Sequence, residues 1–263
     1  MKQLIVNADD FALTKRVSDG IIKAHQNGIV TSTSMLANSP HFKEGVSLLK
    51  TVPSIGVGVH LNLSWGKPIL PYSSVTSLVD SNGNFYRKPH LLPSTVNLDE
   101  IKKELEAQIN KSIDSGIQIS HLDSHHHLHT TRLEFFQLFL ELASLYKLPL
   151  RTLENTKREL LHNCNVPTPD NFIGSFFGQQ HIREEFLHSI ITSIHLGISE
   201  LMCHPGIPDE FLVNESSYIE ERQMELDLLT KPIVKQWLTN QSIRLVNYKI
   251  FSVKSTKEGL QNG

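Results

Sequence analysis

Cysteine is scarce: the 263-residue chain holds two, Cys164 and Cys203. Two thiols make no disulfide framework, and a reducing cytoplasm is the setting expected of such a chain. Long apolar runs are missing too. No stretch reaches the roughly 18 apolar residues that cross a bilayer. The apolar start, residues 1–6, is too short for a signal-peptide core and meets the acidic pair Asp9 and Asp10 almost at once. Neither sign of charge dominates. Twenty-five Lys and Arg against 27 Asp and Glu leave a net charge of −2, so there is no electrostatic case for nucleic acid or for a membrane surface. Repeats, heptads and low-complexity blocks are also absent. The remaining composition, 39% hydrophobic and 20% charged, is that of a globular protein long enough to bury a sizeable core.

Histidine is plentiful. Five of the 14 fall within His121-Leu-Asp-Ser-His-His-His-Leu-His129. Residues 117–120 ahead of it read as a buried strand, and Thr130 and Thr131 behind it are candidate helix caps. If the extended geometry persists, His121, Asp123, His125, His127 and His129 share one face and His126 takes the other. Neutral imidazole is the commonest protein metal ligand, and this density favours a metal site over a polar loop.

Strand-like and helix-like segments alternate along the chain. Strands are expected at residues 3–6, 29–36, 55–63, 117–120, 149–151, 200–203 and 243–246. Helices are expected after Thr14 as far as Gly28, over 41–50, from the cap Asn97 to the stop at Gly116, through Phe135–Ala143, over 182–194, and over 218–238 with a break near Pro232. Two segments, 64–97 and 161–180, are rich in Pro and Gly and read as irregular insertions in a single domain covering 1–263. The first carries Trp65, Tyr72, Phe85 and Tyr86. Residues 259–263 read as a frayed tail. Such alternation implies an α/β fold with a parallel sheet. Asp9, Asp10, His60, His125, Arg151 and His204 all sit at the C-terminal ends of strands. A (β/α) barrel gathers those ends on one face, whereas an open sheet gathers them only at its switch point, so the barrel is favoured.

Asp10, His60 and His125 form a donor set of two imidazoles and one carboxylate that leaves coordination positions free for water and substrate. An ion held there lowers the pKa of water and polarises a carbonyl. Asp9 is then placed to accept a proton and His204 to donate one. Each has a plainer reading: Asp-Asp pairs cap turns, a His before Pro-Gly is a turn residue, and Arg151 is either a surface charge or the partner of the base carboxylate.

Four motifs together resemble one family. Leu4-Ile-Val-Asn-Ala-Asp-Asp-Phe11, Gly58-Val-His-Leu61, His121-Leu-Asp-Ser-His-His-His127 and Cys203-His-Pro-Gly206 look like the motif set of the YdjC-like carbohydrate deacetylases. They keep their order and cover most of the chain. The resemblance implies a distorted TIM-like barrel and one divalent metal ion on Asp10, His60 and His125; by softness the mixed nitrogen and oxygen donors suit Zn2+, manganese, cobalt or iron better than Mg2+, and Mg2+ or Zn2+ is the expected ion. The resemblance also implies Asp9 as base and His204 as acid. The implied reaction removes N-acetyl groups from a small carbohydrate similar to a chitooligosaccharide, phosphorylated or not. A homodimer is common among the proteins it resembles. The sequence departs at Ala12, where the family's first motif continues with Gly. Rival readings are a barrel phosphoesterase or sugar isomerase on the same metal, and a non-catalytic carbohydrate-binding protein. Sugars stack on aromatic rings, so the four aromatics of 64–97 are candidate contacts, or simply packing.

Overall fold

The first apolar run extends well beyond its four central residues. In the computed structural model, which describes residues 1–252, Lys2–Phe11 forms β1. Thr14 accepts a hydrogen bond from the Val17 N–H and starts α1 (Lys15–Asn27), which Gly28 ends. β2 (Ser32–Met35), α2 (Phe42–Lys50) and β3 (Gly56–Leu61) follow. Asn97 caps α3 (Leu98–Asp114) by accepting from the Asp99 and Glu100 N–H groups, and Gly116, at φ 78°, turns the chain away after it. Then come β4 (Ile119–Ser124), α4 (Leu133–Tyr146), α5 (Asn155–Asn163), β5 (Asn171–Ile173), α6 (Glu184–Ser193) and β6 (Gly197–Cys203). The chain continues through α7 (Leu212–Glu215), α8 (Glu220–Leu229), α9 (Pro232–Asn240) and β7 (Ile243–Leu245).

The seven strands among the described residues pair in parallel in the order β4-β3-β2-β1-β6-β5, with β7 against the start of β1. β1 and β4 are three places apart, roughly 14 Å in a flat sheet. Yet Arg151 Nη1 lies 2.7 Å from Asp9 on β1 and 3.0 Å from Asp123 on β4. The Ser34 hydroxyl on β2 also donates to Asp123, at 2.6 Å. Only a strongly curled sheet allows both contacts. The fold is therefore a distorted TIM-like (β/α) barrel, and among the described residues its ladder ends at β4 and β5 without closing.

Alternation along β1 divides its side chains. Leu4, Val6 and Ala8 pack outward among the helices, while Ile5 turns inward onto Ile198, Tyr248 and Phe251. Higher in the barrel the interior is polar, with Asn7, Ser34, His121, Asp123, Arg151 and Glu200 all buried. Gly58 leaves room for the His121 ring, since a Cβ there would come within 2.4 Å of it.

Several sequence expectations need correction. Thr130 and Thr131 cap no helix; α4 begins after Arg132, which makes no side-chain cap. Of residues 149–151, Leu150 pairs with Leu122 as an isolated bridge. The segment 161–180 takes in the end of α5 and all of β5; α5 buries Arg158 and Leu161, too thin a stripe to show as periodicity. The segment 64–97 holds two short 3-10 turns and a bridge from Val79 to Phe85. Phe85 is buried and Tyr86 packs against the same cluster, whereas Tyr72 is exposed. The frayed tail expected at 259–263 lies outside the described residues. No helix among the described residues is long and apolar enough to cross a membrane.

Candidate metal centre and active site

Successive residues on a strand point to opposite faces, so Asp9 and Asp10 should part. A register shift between Ala8 and Phe11 breaks that alternation. Asp10 and Ala12 have positive φ, 67° and 70°, and the bend brings both carboxylates to the barrel mouth. The left-handed backbone at position 12 is one that glycine adopts freely, whereas alanine adopts it at roughly 1–2 kcal/mol. That accounts for the glycine expected there. Here Ala12 is anchored instead by hydrogen bonds between its N–H and Ser18 and between its C=O and Ser39.

The three proposed ligands converge. One donor atom each from Asp10, His60 and His125 lies within 4.8 Å of the others. His125 Nδ1 is 3.0 Å and His60 Nε2 3.4 Å from the same oxygen of Asp10. His60 Nδ1 faces Asp123 at 2.7 Å, which fixes its ring and leaves Nε2 toward the cluster. Burial opposes a charge on His60, but Asp123 and Asp10 outweigh it and push the imidazole up to about 10. The two nitrogens and one oxygen are a fitting donor set for a divalent cation. A second group, Asp9, His60 and Asp123, also clusters. There Arg151 already neutralises both acids, at 2.7 and 3.0 Å.

Arg151 is fully buried. It binds Asp9 through two 2.7 Å hydrogen bonds and reaches Glu200 at 2.8 Å. Of the two readings of this residue, the surface charge is excluded. Burial raises the Asp9 carboxyl, but the Arg151 charge prevails and holds it below its ordinary value. Asp9 is therefore ionised at neutral pH.

The histidine run behaves differently from an extended strand. Regular pairing stops at Ser124, and His126 and His127 adopt left-handed φ of 52° and 51°. His126 consequently lies against His125, ring centroids 3.9 Å apart and planes tilted by 35°, bonds Ser64 and lines the same cavity, rather than turning to the opposite face. His127 lines the cavity as well. His121 lies flat on Tyr248 inside the barrel, 3.7 Å away. His129 bonds Ser124 at 2.6 Å.

His204 follows β6 and faces the same cavity, whose volume is about 770 Å³. Its Nδ1 is buried with no partner among the described residues. Burial pushes its imidazole down to about 4, against the pull of Asp9 and Asp10. Its backbone N–H donates to Glu225, which also receives the Tyr218 hydroxyl. Sequence reasoning missed Glu225 and missed Arg222, whose Nη2 holds the second oxygen of Asp10 at 2.7 Å. Both lie on α8, more than 200 positions from β1 in the case of Arg222 and Asp10 (212 apart), with no local motif to mark them. Trp65 and Arg87 reach across the cavity mouth to Glu215 and the Asn214 carbonyl, at 2.7 and 2.9 Å.

A family profile described as YdjC-like protein matches residues 3–240. This chain belongs to the YdjC-like family. Among the relatives of this YdjC-like chain is a carbohydrate deacetylase of Thermoanaerobacter pseudethanolicus, 39% identical over 95% of this chain and 99% of that one. Another, from Enterococcus faecalis, is 38% identical over 94% and 97%. A solved structure from Enterococcus faecalis, provisionally described as a cellobiose-phosphate cleavage protein, superposes with a TM-score of 0.88 at 37% identity, covering 94% of this chain and 98% of that one. A family 4 carbohydrate esterase from Streptomyces lividans shares the fold alone, with a TM-score of 0.52 at 11% identity over 93% of this chain and 91% of that one.

Proposed function

We propose that this protein is a metal-dependent carbohydrate deacetylase that removes N-acetyl groups from a small sugar, a chitooligosaccharide-like one with or without phosphate. The observation that carries the reading is the convergence of Asp10, His60 and His125 within 4.8 Å, beside Asp9 and His204 in one large cavity. The names of the YdjC-like relatives support it.

In this reading Asp10, His60 and His125 hold one divalent ion, Mg2+ or Zn2+, which when bound supplies a polarised acetyl carbonyl and a more acidic water. Asp9, kept ionised by Arg151, accepts a proton from the attacking water. The water oxygen bonds the acetyl carbon; His204, neutral in the free protein, takes up a proton released by the attacking water and gives it to the departing amine as the C–N bond breaks. Asp123 steadies His60, and Arg222 steadies Asp10. The products are acetate and the free amino sugar. The same reading takes residues 1–263 as a single cytoplasmic domain, with 64–97 and 161–180 elaborating the barrel mouth, and a homodimer as its assembly.

Acetate release from a panel of N-acetylated sugars tests this, with phosphate release from sugar phosphates measured alongside. Chelation should abolish acetate release, and adding back Zn2+ or Mg2+ should restore it. Phosphate release without acetate would replace the reading with a phosphoesterase. Sugar binding without turnover would replace it with a binding protein.

A further inference from the structure

The reaction leaves one feature of the cavity unused. Phe177, between β5 and α6, lines the cavity and is 46% exposed, an unusual state for a phenylalanine. One face lies on Tyr218, with centroids 4.5 Å apart and planes 7° from parallel. Tyr218 is itself anchored: its hydroxyl donates to the buried Glu225 and accepts from the Gly178 N–H. The two stacked rings thus form a flat step whose Phe177 is partly exposed to the cavity. None of the four aromatics in 64–97 matches it, because Trp65 and Phe85 are buried, Tyr86 packs into the core, and Tyr72 does not line the cavity.

The position of this step relates it to the chemistry. The His204 ring meets Phe177 edge-on at 5.5 Å and Tyr218 at 5.6 Å. The nitrogen that His204 protonates is bonded directly to a ring carbon of the sugar. A pyranose carrying that nitrogen must therefore lie within one ring's width of His204, which is where Phe177 stands. Pyranoses with equatorial hydroxyls have an apolar face of C–H groups that pairs with an aromatic ring. The cavity is large enough for more than one sugar ring.

We infer that Phe177, backed by Tyr218, is the stacking platform for the acetamido-bearing sugar ring, and so a binding and specificity residue of the site. This rests on the deacetylase reading. The platform acts on sugar affinity, whereas Asp9 and His204 act on turnover, so the two can fail separately.

The test uses the metal-loaded full chain, N,N′-diacetylchitobiose as probe, and two variants, Phe177→Leu and Phe177→Trp. Both acetate release and calorimetric affinity are measured. Leu keeps the apolar volume but removes the flat face. KM and the dissociation constant should both rise roughly fivefold to tenfold with kcat little changed, while Trp retains affinity. In Phe177→Trp the tryptophan emission should also shift when sugar is added, relative to the parent protein, an observation that does not depend on the Leu variant folding. Unchanged affinity in Phe177→Leu, or no emission shift in Phe177→Trp, overturns the platform. A fall in kcat at constant KM also overturns it, because that is the mark of a disturbed His204 rather than lost stacking. Sugar binding that weakens in Phe177→Leu while even the parent releases no acetate retains the platform and removes the deacetylase reading. A parent that neither binds nor hydrolyses the sugar removes both.

Discussion

Asp9 and Asp10 are neighbours with separate arginines, Arg151 and Arg222 respectively. That division predicts separate consequences. Asp9→Asn and His204→Ala should keep bound metal and drop turnover by roughly 10²–10⁴-fold, the scale of a lost general base or acid. Near-normal acetate release in either variant, with metal content measured, would remove that residue from the mechanism. The histidine run divides similarly. His125→Ala should lose the ion, whereas His126→Ala should keep it, because His126 Nδ1 is engaged by Ser64; metal analysis of the two purified proteins decides. The convergence of Asp10, His60 and His125 could be read from the sequence, since each sits at a strand tip. The expectation that His126 turns to the opposite face does not hold. Alternation fails at Ser124, and a left-handed turn at His126 leaves no signature in a row of identical residues.

At the level of elements, caps and long amphipathic helices were legible. Thr14, Gly28 and Asn97 all act as their chemistry suggests. Short elements were not: β5 has three residues, and its pairing with β6 is decided by tertiary contacts. The role of α8 was equally hidden, since its inward residues Arg222 and Glu225 read on a helix as ordinary surface charges. Glu225 gives α8 a pH signature. Its carboxyl is pushed up to about 8, chiefly by burial, with hydrogen bonds from Tyr218 and the His204 N–H acting against this. Unfolded, the group ionises near 4.5. Between those values the folded chain holds a proton that the unfolded chain has released, so stability declines as pH rises through the window. Glu225→Gln should flatten that decline by something on the order of a few kcal/mol, read from urea unfolding at several pH values. Parallel curves for parent and variant would refute the assignment.

For the whole molecule, the two cysteines report on barrel integrity. Cys164 is exposed and Cys203 is buried on β6, its thiol pushed well above the ordinary range, principally by burial. A thiol reagent should therefore label one site quickly in the native protein and both after denaturation. Rapid labelling of two sites in the native state would mean that β6 is not seated as described.

The central place of β1 also bears on how the protein is made. β1 is the first strand, yet two of its partners are β6 at residues 197–203 and β7 at residues 243–245. A ribosome adding roughly 5–20 residues per second needs roughly 10–40 s to reach β6. Through that interval Asp9 and Asp10 ride on a nascent strand with one edge bare. Arg222, the counterion of Asp10, comes later still. The strand that carries the acidic pair of the proposed centre is made well before the elements that complete that centre.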